Sequence, residues 1–391
     1  MPELSHRIGR ISVSATAAMV NEAARLRAAG RDLVDFGAGE PDFPTPAHIL
    51  ESAIAALHAG DTKYTPTGGT EELKRAICQS HARDFRSDYQ PNEVLATLGG
   101  KHALFNAMSV LVNHGDEVII PAPYWVSFYD QVRYLGGAPV LVPTDEADGY
   151  ALPVAAIERA LTPRTKVILI NSPANPSGAV YTAAAFQAVL EICRRRGLWL
   201  VSDECYIRLV YEQAPYSVAC EPGSKSCLVI SGSLSKTFAM TGWRLGYALG
   251  PAPVIAAMLS LQSHSTSNAT SFVQKAGAAA LLGPQAPINA MLDEYRRRRD
   301  LIVAGLRAIT GITCALPGGA FYAYPNISGL LGKGRAATAA EFADRLLHQA
   351  GIVTVPGEAF GSQGHIRFSY ATSREVIREG LSRLAQFTAA A

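Results

Sequence analysis

Lys236 lies in the stretch SGSLSKTFAMTGWRLG (231–246), where a short apolar run, CLVIS, gives way to small residues and a single lysine. Ser233 and Ser235 stand just before it, and Arg244 follows eight positions later. A lysine on a tight turn can condense with a carbonyl, while hydroxyls and a guanidinium beside it can neutralise a phosphate. The grouping suits a carbonyl-bearing, phosphorylated cofactor held by a Schiff base to Lys236. SGSLSKT has some likeness to a nucleotide-binding P-loop. Ser235, however, stands where that motif requires glycine, so a nucleotide is rejected.

Other candidates fall where apolar runs end. Asp203 closes LWLVSD, a costly place for a carboxylate unless a cation meets it. Arg367 alternates with Ile366 and Phe368 in HIRFSYA; an inward arginine on a strand requires an anion, and its fork fits a carboxylate. Gly100 and Lys101 in LGGKHAL lie between a strand and a helix, where free backbone amides bind phosphate and glycine permits close approach.

The elements that must position these residues follow from periodicity. EVLATL, DEVIIP, APVLVP, KVILIN, LWLVSD, CLVIS and LGYALG are short runs rich in Val, Ile and Leu, read as strands buried on both faces. Amphipathic segments at 101–113, 124–135 and 183–196 are long enough for crossover helices. The alternation predicts an α/β fold with a mainly parallel sheet, whose ligands gather beyond the carboxyl ends of the strands. Asn171 to Gly178, Asp203 to Tyr206 and Ser231 to Lys236 all fall there. After residue 250 come helical patterns, a long one at about 284–309, and a second α/β unit: GAFYAYPN, a helix near 338–350, GIVTVPG, HIRFSYA and a final helix from about 373. The expected division is a large cofactor-binding domain at 46–290 and a small domain of 291–391 with residues 1–45 packed onto it.

Composition narrows the partners. With 48% hydrophobic residues, 17% charged residues and a net charge of +2, the 391-residue chain is a well-cored globular protein with no reason to bind nucleic acid. The basic run Arg296 to Arg299 reads as a solvated or salt-bridged helix face. The six cysteines form no CxxC pair and read as reduced, buried thiols, and the nine histidines make no metal-binding pattern. No signal core and no apolar stretch of membrane-spanning length is present, so a soluble cytoplasmic protein without metal or membrane partner is expected.

GAGEPDFPTP, TKYTPTGG, GGKHALFNA, PYWVSF, NSPANPSG, VSDECY, SLSKTFAMTGWRLG, GAFYAYP and VPGEAFG follow one another through nearly the whole chain. In this order they resemble the class I pyridoxal-phosphate aminotransferases of fold type I, within them the bacterial aspartate/prephenate subgroup. The resemblance implies a large domain with a mainly parallel seven-stranded sheet and a smaller C-terminal α/β domain. It also implies pyridoxal 5′-phosphate bound to Lys236, which then shuttles a proton between the substrate Cα and the cofactor. Asp203 would keep the pyridine nitrogen protonated, Tyr206 and Asn175 would bind the phenolic oxygen, and Trp125 would stack on the ring. Gly100, Lys101, Ser233, Ser235 and Arg244 would hold the phosphate, joined by Tyr64 from the neighbouring subunit, which implies a homodimer with shared sites. Arg367 would grip the substrate α-carboxylate, with the Gly39 amide, Asn175 and Trp125 beside it. One segment departs from the subgroup: where it commonly has KPSAT, this chain has Ser12, Val13 and Ser14, and Ser12 supplies no charge for a distal carboxylate, although Arg10 lies nearby.

The expected reaction is ping-pong transfer of an amino group from an L-amino acid, aspartate first, to a 2-oxo acid, 2-oxoglutarate first. Aromatic, alanine or glutamate–prephenate transamination and a β-lyase of the same fold are the alternatives.

Overall fold

The computed structural model describes residues 2–12, 15–332 and 336–390, so Val13 and Ser14 of the departing segment lie outside the described residues. After a two-residue strand, β1 (Val34–Asp35), seven strands build one sheet: β2 (Val94–Thr97), β3 (Glu117–Ala122), β4 (Ala138–Pro143), β5 (Thr165–Asn171), β6 (Trp199–Asp203), β7 (Leu228–Ser233) and β8 (Gly246–Leu249). Their order is β2-β8-β7-β6-β5-β3-β4, and only β8 runs antiparallel to its neighbours. Each run expected as a strand is one. β4 differs in burial: it is one of the two edge strands and is largely exposed or half-buried, whereas β2 at the other edge is buried.

Side chains alternate across the sheet as the pleat requires. Val118, Ile120, Leu169, Val201 and Val229 face α4 (Gly100–Leu111), α5 (Val126–Tyr134) and α8 (Ala252–Ser263) in one apolar cluster. Ile119, Ile168, Ile170, Leu200 and Ile230 face the other way, towards α7 (Ala183–Arg196). α7 begins where Thr182 Oγ1 accepts from the Ala185 amide and stops at left-handed Gly197, with three arginines in its last turn opposing the helix dipole. α1 (Ala15–Ala28), α2 (Ala47–His58), α3 (Glu71–Phe85), α6 (Val154–Arg159) and α9 (Ser271–Leu282) complete this part.

α10 (Ala286–Arg307) leads to the C-terminal unit, with α11 (Ala339–Arg345) and α12 (Arg374–Ala390). Its strands are shorter than the sequence suggests: β9 (Tyr322–Ala323), β10 (Ile352–Val353), β11 (Val355–Pro356) and β12 (Ile366–Ser369). β11, β12 and β9 form an antiparallel sheet, and β10 pairs parallel with β1. Residues 7–12 lie elsewhere, against α5: Arg7 stands over the Tyr134 ring, and Ser12 donates hydrogen bonds to Asp130. The arginine run is more buried than expected. Arg298 and Arg299 are enclosed in α10's packed face, where Asp42 with Glu294 and Glu212 with Asp300 neutralise them. The six cysteines are free thiols, but Cys78, Cys205 and Cys220 are only half-buried. Among the described residues no helix is long and apolar enough to cross a membrane.

Gly246 is where fold and site meet, since β8 pairs it with Thr97 on one side and Ser233 on the other. A Cβ there would lie 2.5 Å from the Gly99 carbonyl carbon and 2.6 Å from the Gly100 nitrogen, both backbone atoms that cannot turn aside. Gly246→Ala is therefore expected to cost about 1–3 kcal/mol, read as a lower urea midpoint. An unchanged midpoint would show that the turn yields freely.

Candidate active site

The register of the central strands sets Asn171, Asp203 and Ser231 side by side at their carboxyl ends. Gly100, the first residue of α4, arrives at the same edge from β2. Together with residues from the C-terminal unit they line a cavity of about 460 Å³. Gly39, Gly100, Lys101, Trp125, Asn175, Asp203, Tyr206, Ser233, Ser235, Lys236, Arg244 and Arg367 all line it, although they come from positions more than three hundred residues apart. Tyr64 does not. It lies outside this cavity and is 92% exposed, on the loop between α2 and α3. A larger cavity of about 830 Å³, between the 143–150 loop and His365, contains none of these residues.

The cavity gathers charged groups whose needs the protein does not meet by itself. Asp203 is buried and accepts one hydrogen bond, 3.1 Å from the Cys205 amide; burial pushes its carboxyl up to about 7. Lys236 donates to the Gly39 carbonyl, and burial pulls its amine below the ordinary lysine range. Arg367 is 2% exposed; it donates to Asn175 Oδ1 at 3.1 Å and Gly37 O at 2.8 Å, and its Nε has no partner. The guanidinium lies 4.6 Å over the Tyr322 ring, and the Tyr322 hydroxyl is 2.7 Å from that of Tyr206. Burial and this neighbour hold the Tyr206 phenol well above its usual range, so it stays neutral and can donate.

The opposite end is built for an anion. The Gly100 and Lys101 amides open α4, the Ser235 amide donates to Ser233 Oγ at 3.1 Å, and Arg244 faces only carbonyl oxygens, Thr241 O at 2.8 Å and Leu98 O at 3.4 Å. Arg244 adopts a left-handed φ of 54°, unusual for a side chain this size. Ser12 and Arg10 line a different cavity, with Tyr129, Asp130 and Arg133. Among the described residues no His, Cys, Asp or Glu cluster could hold a metal.

Residues 31–384 match the family described as aminotransferase class I and II. The chain belongs to that family. An aspartate aminotransferase of Geobacillus stearothermophilus is 44% identical over 387 residues, covering 98% of each chain. An aspartate/prephenate aminotransferase of Cereibacter sphaeroides is 45% identical over 397 residues, covering 100% of this chain and 99% of the other. The solved structure of Thermus thermophilus aspartate aminotransferase with maleate superposes with a TM-score of 0.94 at 41% identity, covering 99% of this chain and 100% of that one. That of the Rhizobium meliloti enzyme gives 0.95 at 42%, covering 100% and 99%. The protein is an aminotransferase, and its cofactor is pyridoxal 5′-phosphate.

The residues present fit that cofactor: a buried carboxyl with no cation beside it among the described residues, a neutral tyrosine, a lysine, and an amide-and-hydroxyl cradle with a guanidinium bonded to carbonyl oxygens. Asn171 and Cys205, from the strand-end stretches marked in the sequence, also line the cavity, as do Thr241 and Tyr322, which have no sequence-based role. Tyr322 sits within GAFYAYP and Asn171 opens NSPANPSG, so their motifs were legible although their places in the wall were not.

Asp203 binds a proton in the folded protein that the unfolded chain has released, from about pH 4 to about pH 7. Its contribution to stability is complete below pH 4 and is lost as pH rises through 7. Asp203→Asn should therefore gain on the wild type across that window, by roughly 3–4 kcal/mol at most, in denaturation of the cofactor-free proteins. A stability difference independent of pH would contradict this reading.

Proposed function

We propose that the protein transfers the amino group of L-aspartate to 2-oxoglutarate in a ping-pong cycle, as a cytoplasmic homodimer. The carrying observation is the charge balance of the cavity. Apart from Lys236, whose amine is kept for the chemistry, its wall holds three cationic side chains, Lys101, Arg244 and Arg367, against one carboxyl, Asp203. That surplus suits a phosphate together with a substrate bearing two carboxylates. The names of the relatives and the maleate, a dicarboxylate, in the Thermus thermophilus structure support the same class. Ser12 adds no charge, and Arg10 belongs to another cavity, so neither carries the assignment.

Bound pyridoxal phosphate supplies an electron sink that lets an amino acid lose its Cα proton. Asp203, as carboxylate, would pair with the ring nitrogen and hold a proton there. Tyr206 and Asn175 hold the phenolic oxygen, and Trp125 covers the ring. Gly100, Lys101, Ser233, Ser235 and Arg244 would hold the phosphate, with Tyr64 of a second copy. Arg367 offers Nε and its fork to the α-carboxylate, Gly39 adds its amide, and Asn175 and Trp125 close around the substrate. The Lys236 amine, kept weakly basic by burial, would accept the proton that leaves the substrate Cα and hold it for return.

The dimer is supported by Tyr64, which is outward in its own chain, and by the exposed stripe Leu50, Ile54 and Leu57 along α2. The pairing of β1 with β10 supports a small unit that joins the β1 part of 1–45 to 291–391 beside a large one of 46–290, with residues 7–12 packed on the large one. Six free thiols suit a reducing compartment. Glutamate–prephenate transfer is the second reading, favoured by the relative named for both substrates.

The deciding experiment presents the yellow holoenzyme with single amino acids. Loss of its visible band with aspartate or glutamate, restored by 2-oxoglutarate, is expected; response to aromatic or neutral donors alone would overturn the substrate class. Lys236→Ala should lose that lysine-dependent band and at least about 10²–10⁴-fold in turnover. Full activity would remove Lys236 from its role.

A further inference from the structure

Tyr64 is carried on residues 61–70, a surface connection between α2 and α3 whose backbone is fastened from within. Gln274 on α9 and Gln262 on α8 are each 0% exposed. Gln274 Oε1 accepts from the Thr70 amide at 2.7 Å, and its Nε2 donates to Thr65 Oγ1 at 2.9 Å and Ala269 O at 2.7 Å. Gln262 Nε2 donates to Thr67 O at 3.0 Å and Ala96 O at 2.9 Å, and its Oε1 accepts from Asn106 Nδ2 at 3.1 Å. Ser271 Oγ holds the loop's first carbonyl, Asp61 O, at 2.6 Å.

Core packing alone does not call for two buried amides. Leucine or methionine would fill the space without the desolvation cost that these side chains must offset with hydrogen bonds. Gln274 gives two of its three bonds and Gln262 one of its three to the stretch just after Tyr64, Ser271 fastens the stretch before it, and Gln262 links the loop through Asn106 to α4, whose first turn forms the cavity's anion end. An exposed phenol 92% in solvent gains nothing for its own chain from such fastening.

We propose that Gln262 and Gln274 are positioning residues that aim Tyr64 into the cofactor phosphate site of a second copy of this chain. The inference rests on the homodimer reading with Tyr64 acting across it. Its effect on one site therefore comes from the glutamines of the other subunit.

Mixed dimers test this. One chain carries Lys236→Ala, so only the other gives the lysine-dependent absorbance, and the pyridoxal phosphate dissociation constant is read from that band. Gln274→Met on the Lys236→Ala chain should weaken binding at the competent site about tenfold, and on the lysine-bearing chain leave it unchanged. Equal losses in both arrangements, or loss only on the lysine-bearing chain, would overturn the proposal in favour of a structural role. Tyr64→Phe in the same arrangements separates the layers. If it is silent in both, the reading of Tyr64 fails and the proposal with it; if it acts across the dimer while Gln274→Met does not, the proposal alone fails. Should Gln274→Met not fold, Thr65→Val removes one of its contacts and should give a smaller loss in the same arrangement.

Discussion

A carboxyl and a guanidinium taken out of water without full partners govern this structure. Asp203 accepts a single amide hydrogen bond at the end of a buried strand, and Arg367 keeps one nitrogen unpaired on the floor of the same cavity. In such surroundings charges interact far more strongly than in water, and leaving them unmet costs stability. The fold tolerates that cost because the sheet beneath is apolar on both faces and closely packed. What the protein withholds from Asp203 and Arg367, a pyridinium and a substrate carboxylate would supply.

The positions of the other groups follow from strand register. Asn171, Asp203 and Ser231 are neighbours because β5, β6 and β7 are parallel and in step, and Gly246 lets α4 begin against them. Arg367 comes from β12 of the C-terminal unit, so the cavity is closed by contact between two parts of the chain. The bond from Arg367 to Asn175 spans that contact and joins β12 to the loop after β5.

Much of this was legible because the sheet's strands are continuous Val, Ile and Leu runs and the site residues sit in compact motifs at their ends. Local pattern failed where burial depends on distant neighbours. APVLVP has the composition of an inner strand yet forms an edge of the sheet. Arg298 and Arg299 are salt-bridged as the sequence allows, but their burial depends on Asp42 and Glu212 being brought to them across the fold. The C-terminal strands shrink to two or four residues, and the outer parts of their expected runs make only isolated bridges at Gly319, Asn326 and His365. Tyr322 needed the third dimension, since nothing in GAFYAYP marks which of its two tyrosines faces the cavity.

The most direct test of the central claim is the ¹⁵N NMR shift of ring-labelled pyridoxal phosphate bound to the protein, followed from pH 6 to pH 9. A carboxylate at Asp203 that draws its charge partner from the cofactor predicts a pyridinium shift across the whole range. A ring nitrogen that loses its proton as free pyridoxal phosphate does, or is unprotonated throughout, would contradict the account.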